Sequence, residues 1–225
     1  QPSMNALGKF LAGGLEVRRE AKVLKVQRAP DGWELTIENQ PPARAERLVL
    51  TAPLPQSLAL LEAGGVELPS DLAKELAALT YHPCLALLLT LGGASAVPVE
   101  GVALTNGRVR WIADNTKKGI SPGVAGAVTV HLSPSFAAEH LLKTETELAA
   151  MVLPDIAEWL GAPVVNVALQ RWKFSEPVAS FAKGCVWLPE LGLGLAGDSL
   201  GGPRVEGAAL SGLELADRMA VNANA

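Results

Sequence analysis

The chain has 225 residues, 49% of them hydrophobic and 19% charged, an ordinary composition for a soluble globular protein with room for one large domain or two small ones. Lys and Arg number 19 against 23 Asp and Glu, a formal net charge of −4, so no overall basic field exists to hold a polyphosphate backbone and nucleic acid is not expected as a partner. The longest apolar runs, such as Cys84–Leu91, are of strand length and well short of the roughly 20 residues of a membrane-spanning helix, which argues against a membrane protein.

Gln1-Pro2-Ser3-Met4 lacks the basic start and apolar run of a signal peptide. Two cysteines, Cys84 and Cys185, make neither a disulfide framework nor a structural zinc site, and a reducing cytoplasm is the expected compartment.

In chain order, Ser3 is placed to cap a helix with Met4, Leu7, Phe10 and Leu11 at helical spacing and Gly13-Gly14 at its end. Leu15–Arg19, Lys22–Arg28 and, after a turn at Asp31-Gly32, the alternating Trp33, Leu35 and Ile37 predict a small β-meander. Leu48-Val49-Leu50 is a continuous apolar run ending at Thr51-Ala52-Pro53, which suits a strand buried on both faces of a parallel sheet. No βαβ unit precedes it to supply parallel partners.

The texture changes near Pro55. Ser70 is expected to cap a helix carrying Leu72, Leu76 and Leu79 on one side, and strands are expected at Leu85–Leu91, Arg108–Ala113 and Val128–Leu132. Thr144 with Glu147 spells a capping box that opens a helix toward Trp159, interrupted by Pro154. Val164–Trp172 and Leu193–Ala196 read as further strands, Val205–Met219 as a helix, and Asn222–Ala225 as a frayed tail. The fold class is therefore α+β.

The segment from Leu191 to Gly212 is the most informative. A buried strand runs into Gly197-Asp198, a glycine-rich loop follows, and a helix begins with small residues at Gly207, Ala208, Ser211 and Gly212. Small residues admit a flat ligand or another backbone, and helix N-terminal N–H groups favour negative charge. Asp198, at a strand's C-terminal end, suits hydrogen bonds from sugar-like hydroxyls. Gly192, Gly194 and Gly197 match G-x-G-x-x-G literally, but they alternate with Leu193 and Leu195 inside the strand, so a dinucleotide fingerprint is rejected.

Ala196-Gly197-Asp198, Arg204-Val205-Glu206-Gly207-Ala208 and Ser211-Gly212 resemble the C-terminal signature of bacterial renalase-like proteins, a branch of the flavin-containing amine oxidase superfamily. Other pieces agree in order: Pro2–Leu7, Val17 through Trp33, Leu48–Pro53, Trp111–Asn115, Val130–Ser133 and Arg171-Trp172. The resemblance implies that an α/β remnant, 1–53 with 190–225, is part of a Rossmann-like FAD-binding domain, and that 54–189 is a substrate-binding mixed sheet with helices. It implies an FAD-dependent oxidoreductase in which a small reduced substrate or amine, bound between the sheet-rich domain and the flavin, passes hydride to the flavin.

Residue by residue, the resemblance sets Asp198 with Gly197 at the ribityl or pyrophosphate region, Arg204, Glu206 and Gly207 near it, and the Val205 N–H at the pyrimidine edge. It sets Val23 at the adenine end, and Thr51, Ala52 and Pro53 along the cofactor channel. Trp111, Trp172 and His131 are its pocket candidates, with equal weight on aromatic core filling for the two tryptophans.

The family's N-terminal βαβ unit with the true G-x-G-x-x-G is absent from these residues. That implies a fragment or a segment supplied elsewhere, weak FAD binding by this chain alone, and association through the surface that segment would cover. Tyr81 is the only tyrosine, so the paired-tyrosine cage of monoamine oxidases is not available. Lys117-Lys118 reads as a solvated loop, with a lesser role in steering an anionic substrate.

His82 and Cys84 share a strand face and form a distant nucleophilic alternative. His82, His131 and His140 lack metal-ligand spacing. A flavin-free ligand-binding or interaction domain is the second reading.

Overall fold

A computed structural model describes residues 5–221, so the expected cap at Ser3, Met4 and the tail at 222–225 lie outside the described residues. The chain opens with α1 (Asn5–Leu11), none of whose residues is buried. The strand expected at Leu15–Arg19 does not form. Leu15 and Val17 are exposed, and two apolar side chains that bury nothing do not offset the entropy of ordering a strand.

The meander is β1 (Val23–Ala29), β2 (Gly32–Ile37) and β3 (Ala43–Ala45), in that order. Its first turn is Pro30-Asp31, because Gly32 already pairs with Ala29. Gly32 has φ 132°, and a Cβ there would fall 2.3 Å from the Ala45 carbonyl oxygen. Glycine is therefore required where β3 crosses.

After β4 (Leu48–Leu50) come α2 (Leu54–Ala63) and α3 (Ser70–Ala77). Proline in the first turn opens α2, a position where its missing N–H costs nothing. Ser70 is the first residue of α3, and the cap position belongs to Pro69 with no side-chain cap bond. Next follow β5 (Tyr81–Leu91), β6 (Val102–Ala103), β7 (Val109–Asp114), β8 (Gly126–Leu132) and α4 (Pro134–Glu139).

The Thr144–Glu147 capping box forms as expected and opens α5 (Glu145–Val152). Hydrogen bonds from the Thr144 N–H and hydroxyl, then from Lys143, pull the Glu147 carboxyl down to about 2. Pro154 interrupts the helix: a 3-10 turn over Leu153–Ile156 precedes α6 (Ala157–Leu160). The chain ends with β9 (Val164–Pro177), β10 (Val186–Leu188), β11 (Leu193–Leu195), α7 (Asp198–Gly201) and α8 (Val205–Val221).

Two units pack separately: the residues up to Glu16 with His82–Ser175, and Val17–Tyr81 with Glu176–Ala225. These packing boundaries differ from the cofactor-based division at 53/54 and 189/190. Leu54, Leu61 and Leu76 share one core with Leu48, Leu50, Leu193 and Leu195, and burial of α2 and α3 on that core ties residues 54–81 to the strands before and after them.

In that second unit β11 pairs parallel with β4 and antiparallel with β10. The parallel partner of Leu48–Leu50 is thus the chain-distant β11. The two faces are unequally buried: Leu48 and Leu50 are in the core, while Val49, on the face where Leu215 packs at Gly194, is 40% exposed, which corrects the full burial on both faces expected from the apolar run.

The first unit is built on a five-stranded sheet, β6-β7-β8-β5-β9. Strict alternation along β8 sends Val128, Val130 and Leu132 into a core with Phe136, Leu148, Val152 and Ile156 of the helices, and leaves Ala127, Thr129 and His131 on the opposite face. Buried Asp114 locks the loop beyond β5. Its Oδ2 accepts from Ser95 Oγ at 2.6 Å and its Oδ1 from the Lys117 N–H at 2.9 Å. Replacing Asp114 by Ala is expected to lower unfolding free energy by about 2–4 kcal/mol, because Ser95 loses its buried acceptor. Urea unfolding measures the loss, and a change of only a few tenths contradicts the role.

Candidate functional site

In the second unit the C-terminal ends of the parallel strands β4 and β11 lie side by side, the place where α/β sheets bind ligands. The Ala196 N–H donates to the Leu50 carbonyl at 3.2 Å. Gly194 sits within β11 opposite Val49, while Gly192 precedes that strand and Gly197 follows it, so only the middle glycine of the literal G-x-G-x-x-G lies inside the strand. Gly197 follows with φ 145° and ψ −171°, a conformation essentially reserved for glycine. Its N–H donates to Ser211 Oγ at 3.0 Å, and that buried hydroxyl donates onward to the Gly184 carbonyl at 2.7 Å.

Asp198 opens α7. Its Oδ1 accepts from the Ser199 N–H at 2.8 Å and from the Tyr81 hydroxyl at 3.1 Å, while the same hydroxyl accepts from the Leu54 N–H at 3.2 Å. Pro53 is the residue before α2, and the Ala52 carbonyl accepts from Ser57 Oγ at 3.0 Å. Ala52, Pro53, Gly197 and Asp198, named from sequence, are thus brought together, and Tyr81 is the side chain that joins them. Sequence reasoning noted Tyr81 only as the lone tyrosine; nothing local signals a partner 117 residues away.

Helices α7 and α8 meet backbone to backbone. A Cβ on Gly201 would lie 2.1 Å from the Gly207 carbonyl oxygen, and one on Gly207 would lie 2.6 Å from that of Gly202. Arg204, Val205 and Glu206 are exposed at the start of α8, where the first N–H groups have no helical acceptor. Val23 lies on the meander, opposite Ile37 at the head of β1, with its side chain packed on the unit's core.

In the first unit the three pocket candidates share one neighbourhood. Trp111 pairs across strands with His131, and the rings of His131 and Trp172 meet edge to face at 6.4 Å between centroids. A bulge between Val109 and Trp111 sets that register. Trp172 is 42% exposed and Trp111 partly so, which does not fit plain core filling. The fully buried tryptophan is Trp33, whose indole N–H donates to the Leu191 carbonyl at 2.9 Å.

Lys118 Nζ stands 5.8 Å from the Trp111 ring centroid. Burial, then the charges of Arg110 and Lys118, push the His131 pKa below its ordinary value, so the imidazole is neutral at pH 7. The Lys117-Lys118 segment is not a simple solvated loop: Lys117 Nζ donates to the Ser95 and Val97 carbonyls at 2.9 and 2.6 Å.

His82 is exposed and Cys84 half-buried. Burial first, then the nearby Glu214 carboxylate, push the Cys185 thiol pKa up against the opposing pull of Arg218, which leaves it unreactive at neutral pH. Among the described residues no three His, Cys, Asp or Glu side chains gather to hold a metal, and no helix is long and apolar enough to cross a membrane.

A parallel strand pair ending in a glycine-lined acidic corner in one unit, with a five-stranded sheet in the other, defines an α+β fold of the FAD-dependent oxidase type. The chain belongs to the family of flavin containing amine oxidoreductases, which it matches over residues 2–220. Its fold is similar to that of an Exiguobacterium protein named as a protoporphyrinogen oxidase, at 17% identity and TM-score 0.70 over 96% of this chain and 50% of that one. It is also similar to putrescine oxidase with putrescine bound (16% identity, TM-score 0.66, 96% and 52% covered) and to cyclohexylamine oxidase from Brevibacterium oxydans (13%, 0.60, 92% and 49%). The chain spans about half the length of these solved structures.

Proposed function

We propose that this chain supplies the substrate-side sheet and the C-terminal cofactor-holding corner of an FAD-dependent oxidoreductase that passes hydride from a small reduced substrate to flavin, in the manner of renalase-like proteins. The observation that carries the reading is the convergence of Ala52, Pro53, Gly197 and Asp198 at the ends of β4 and β11. Its donor set fits the group. The Asp198 carboxylate is an acceptor for ribityl or ribose hydroxyls, the side-chain-free backbone at Gly197 and at the Gly201–Gly207 contact leaves room for close approach, and the start of α8 suits negative charge.

FAD, when bound, supplies the hydride acceptor. Asp198 would hold it by hydrogen bonds, with Arg204 and Glu206 near the same ribityl or pyrophosphate region, Val23 at the adenine end, and Ala52 and Pro53 along the channel. The Val205 N–H, at the start of α8, would be the donor toward the pyrimidine edge of the ring. In the first unit Trp111 and Trp172 offer apolar ring faces that orient substrate and exclude water, with neutral His131 between them in the cluster. The two free cysteines suit a reducing cytoplasm.

Charge at that cluster favours a neutral or anionic substrate over an ammonium ion, because the Lys118 ammonium stands 5.8 Å from the Trp111 ring centroid. Anaerobic mixing of the flavin-loaded intact protein with a dihydronicotinamide compound is expected to bleach the visible flavin band at least about tenfold faster than benzylamine does, and Lys118→Glu is expected to narrow that ratio. Faster bleaching by the amine contradicts the substrate reading. No bleaching by any reduced substrate contradicts the hydride-transfer reading.

A further inference from the structure

We infer that Tyr81 is a positioning residue for the cofactor, fixing the Asp198 carboxylate so that one oxygen is committed to the protein and the other is presented to a cofactor hydroxyl. The inference rests on the reading that Asp198 holds FAD.

A phenolic hydroxyl has one proton to give. At Tyr81 the Leu54 N–H, from the start of α2, occupies an acceptor position at 3.2 Å, which directs that proton toward Asp198 Oδ1 at 3.1 Å. The Ser199 N–H converges on the same oxygen at 2.8 Å. Two donors on Oδ1 restrict rotation of the carboxylate, and Oδ2 keeps its acceptor capacity for an incoming hydroxyl. Burial, opposed by hydrogen bonds to Ser199 and Leu54, raises the Tyr81 pKa above its ordinary value, so the hydroxyl stays protonated and remains the donor across the physiological range.

The anchor is rigid on both sides. Tyr81 is the first residue of β5, and the neighbouring Thr80 carbonyl accepts from the Val178 N–H at 2.9 Å. Holding the Asp198 carboxylate against the Tyr81 hydroxyl lowers the entropy lost when the cofactor binds. A tyrosine that merely filled space here would contribute to folding but would leave the affinity of Asp198 for its ligand unchanged.

A double-mutant cycle on the intact protein separates these roles. FAD dissociation constants are measured by flavin fluorescence titration for the parent, Tyr81→Phe, Asp198→Asn and the double variant, with the thermal midpoint of each apo form as the second readout. Tyr81→Phe is expected to weaken FAD about five- to tenfold. The double variant is expected to bind no more weakly than Asp198→Asn alone, since Tyr81 acts through that carboxylate.

Losses that multiply in the double variant overturn the inference, as does a Tyr81→Phe protein whose apo midpoint drops while its FAD affinity is unchanged. A parent protein that binds no FAD overturns the cofactor reading itself, and this inference with it.

Discussion

Replacing Asp198 by Asn in the intact protein is expected to raise the FAD dissociation constant roughly 10- to 100-fold while leaving the fold in place. The amide keeps the size of the side chain and retains one acceptor for the Ser199 N–H and the Tyr81 hydroxyl, the two donors seen at 2.8 and 3.1 Å. It loses the negative charge, and where the second carboxylate oxygen stood it offers an N–H₂ donor to a hydroxyl that is itself a donor. A hydrogen bond to a charged group contributes on the order of 1.5–3 kcal/mol, which is the source of the expected range. Asp198 is only partly buried, so thermal unfolding of the apo protein is expected to shift little. Unchanged FAD affinity in Asp198→Asn contradicts the role assigned to this carboxylate.

A large effect on folding is expected at Gly201. A methyl group there would lie 2.1 Å from the Gly207 carbonyl oxygen and 2.8 Å from the Ser211 Cβ, and neither neighbour is the flexible end of a long side chain. Backbone has to move. The movement reaches the cofactor corner, because Ser211 also holds the Gly197 N–H and the Gly184 carbonyl. Gly201→Ala is therefore expected to cost about 3 kcal/mol or more in unfolding free energy.

Gly212 provides the control on the neighbouring α8. A Cβ at Gly212 meets nothing within 4 Å, and Gly212→Ala is expected to stabilise by about 0.5–1 kcal/mol through helix propensity alone. Urea unfolding of the two variants side by side measures the contrast. Equal midpoints contradict the close packing of α7 on α8.

The parts of this fold that were legible in the sequence are those governed by neighbours in the chain. The Thr144–Glu147 box and the break at Pro154 depend on contacts three or four residues apart, and both form as read. The β11 strand, the Gly197-Asp198 corner and α8 were legible because glycine, a terminal acid and small residues follow one another in the order the geometry needs.

What the sequence did not show depends on distant partners. Leu15–Arg19 alternates like a strand but finds no ladder. Val49 belongs to an apolar run yet is 40% exposed, because how far its face is covered depends on Leu215, packed at Gly194, and not on its own strand. Leu54, Leu61 and Leu76 complete a core whose other half comes from β4 and the chain-distant β11. Tyr81 meets Asp198 only through the tertiary fold. Trp111, His131 and Trp172 were grouped as pocket candidates only through the resemblance; the geometry of their meeting depends on a bulge at Arg110 that alternation does not reveal.

The most direct test of the central claim is an FAD titration of the intact protein that contains this chain, followed by flavin absorbance after removal of unbound cofactor. The expected result is a yellow protein that retains close to one FAD per chain and releases it far more readily once Asp198 is replaced by Asn. A protein that stays colourless in excess FAD would contradict it.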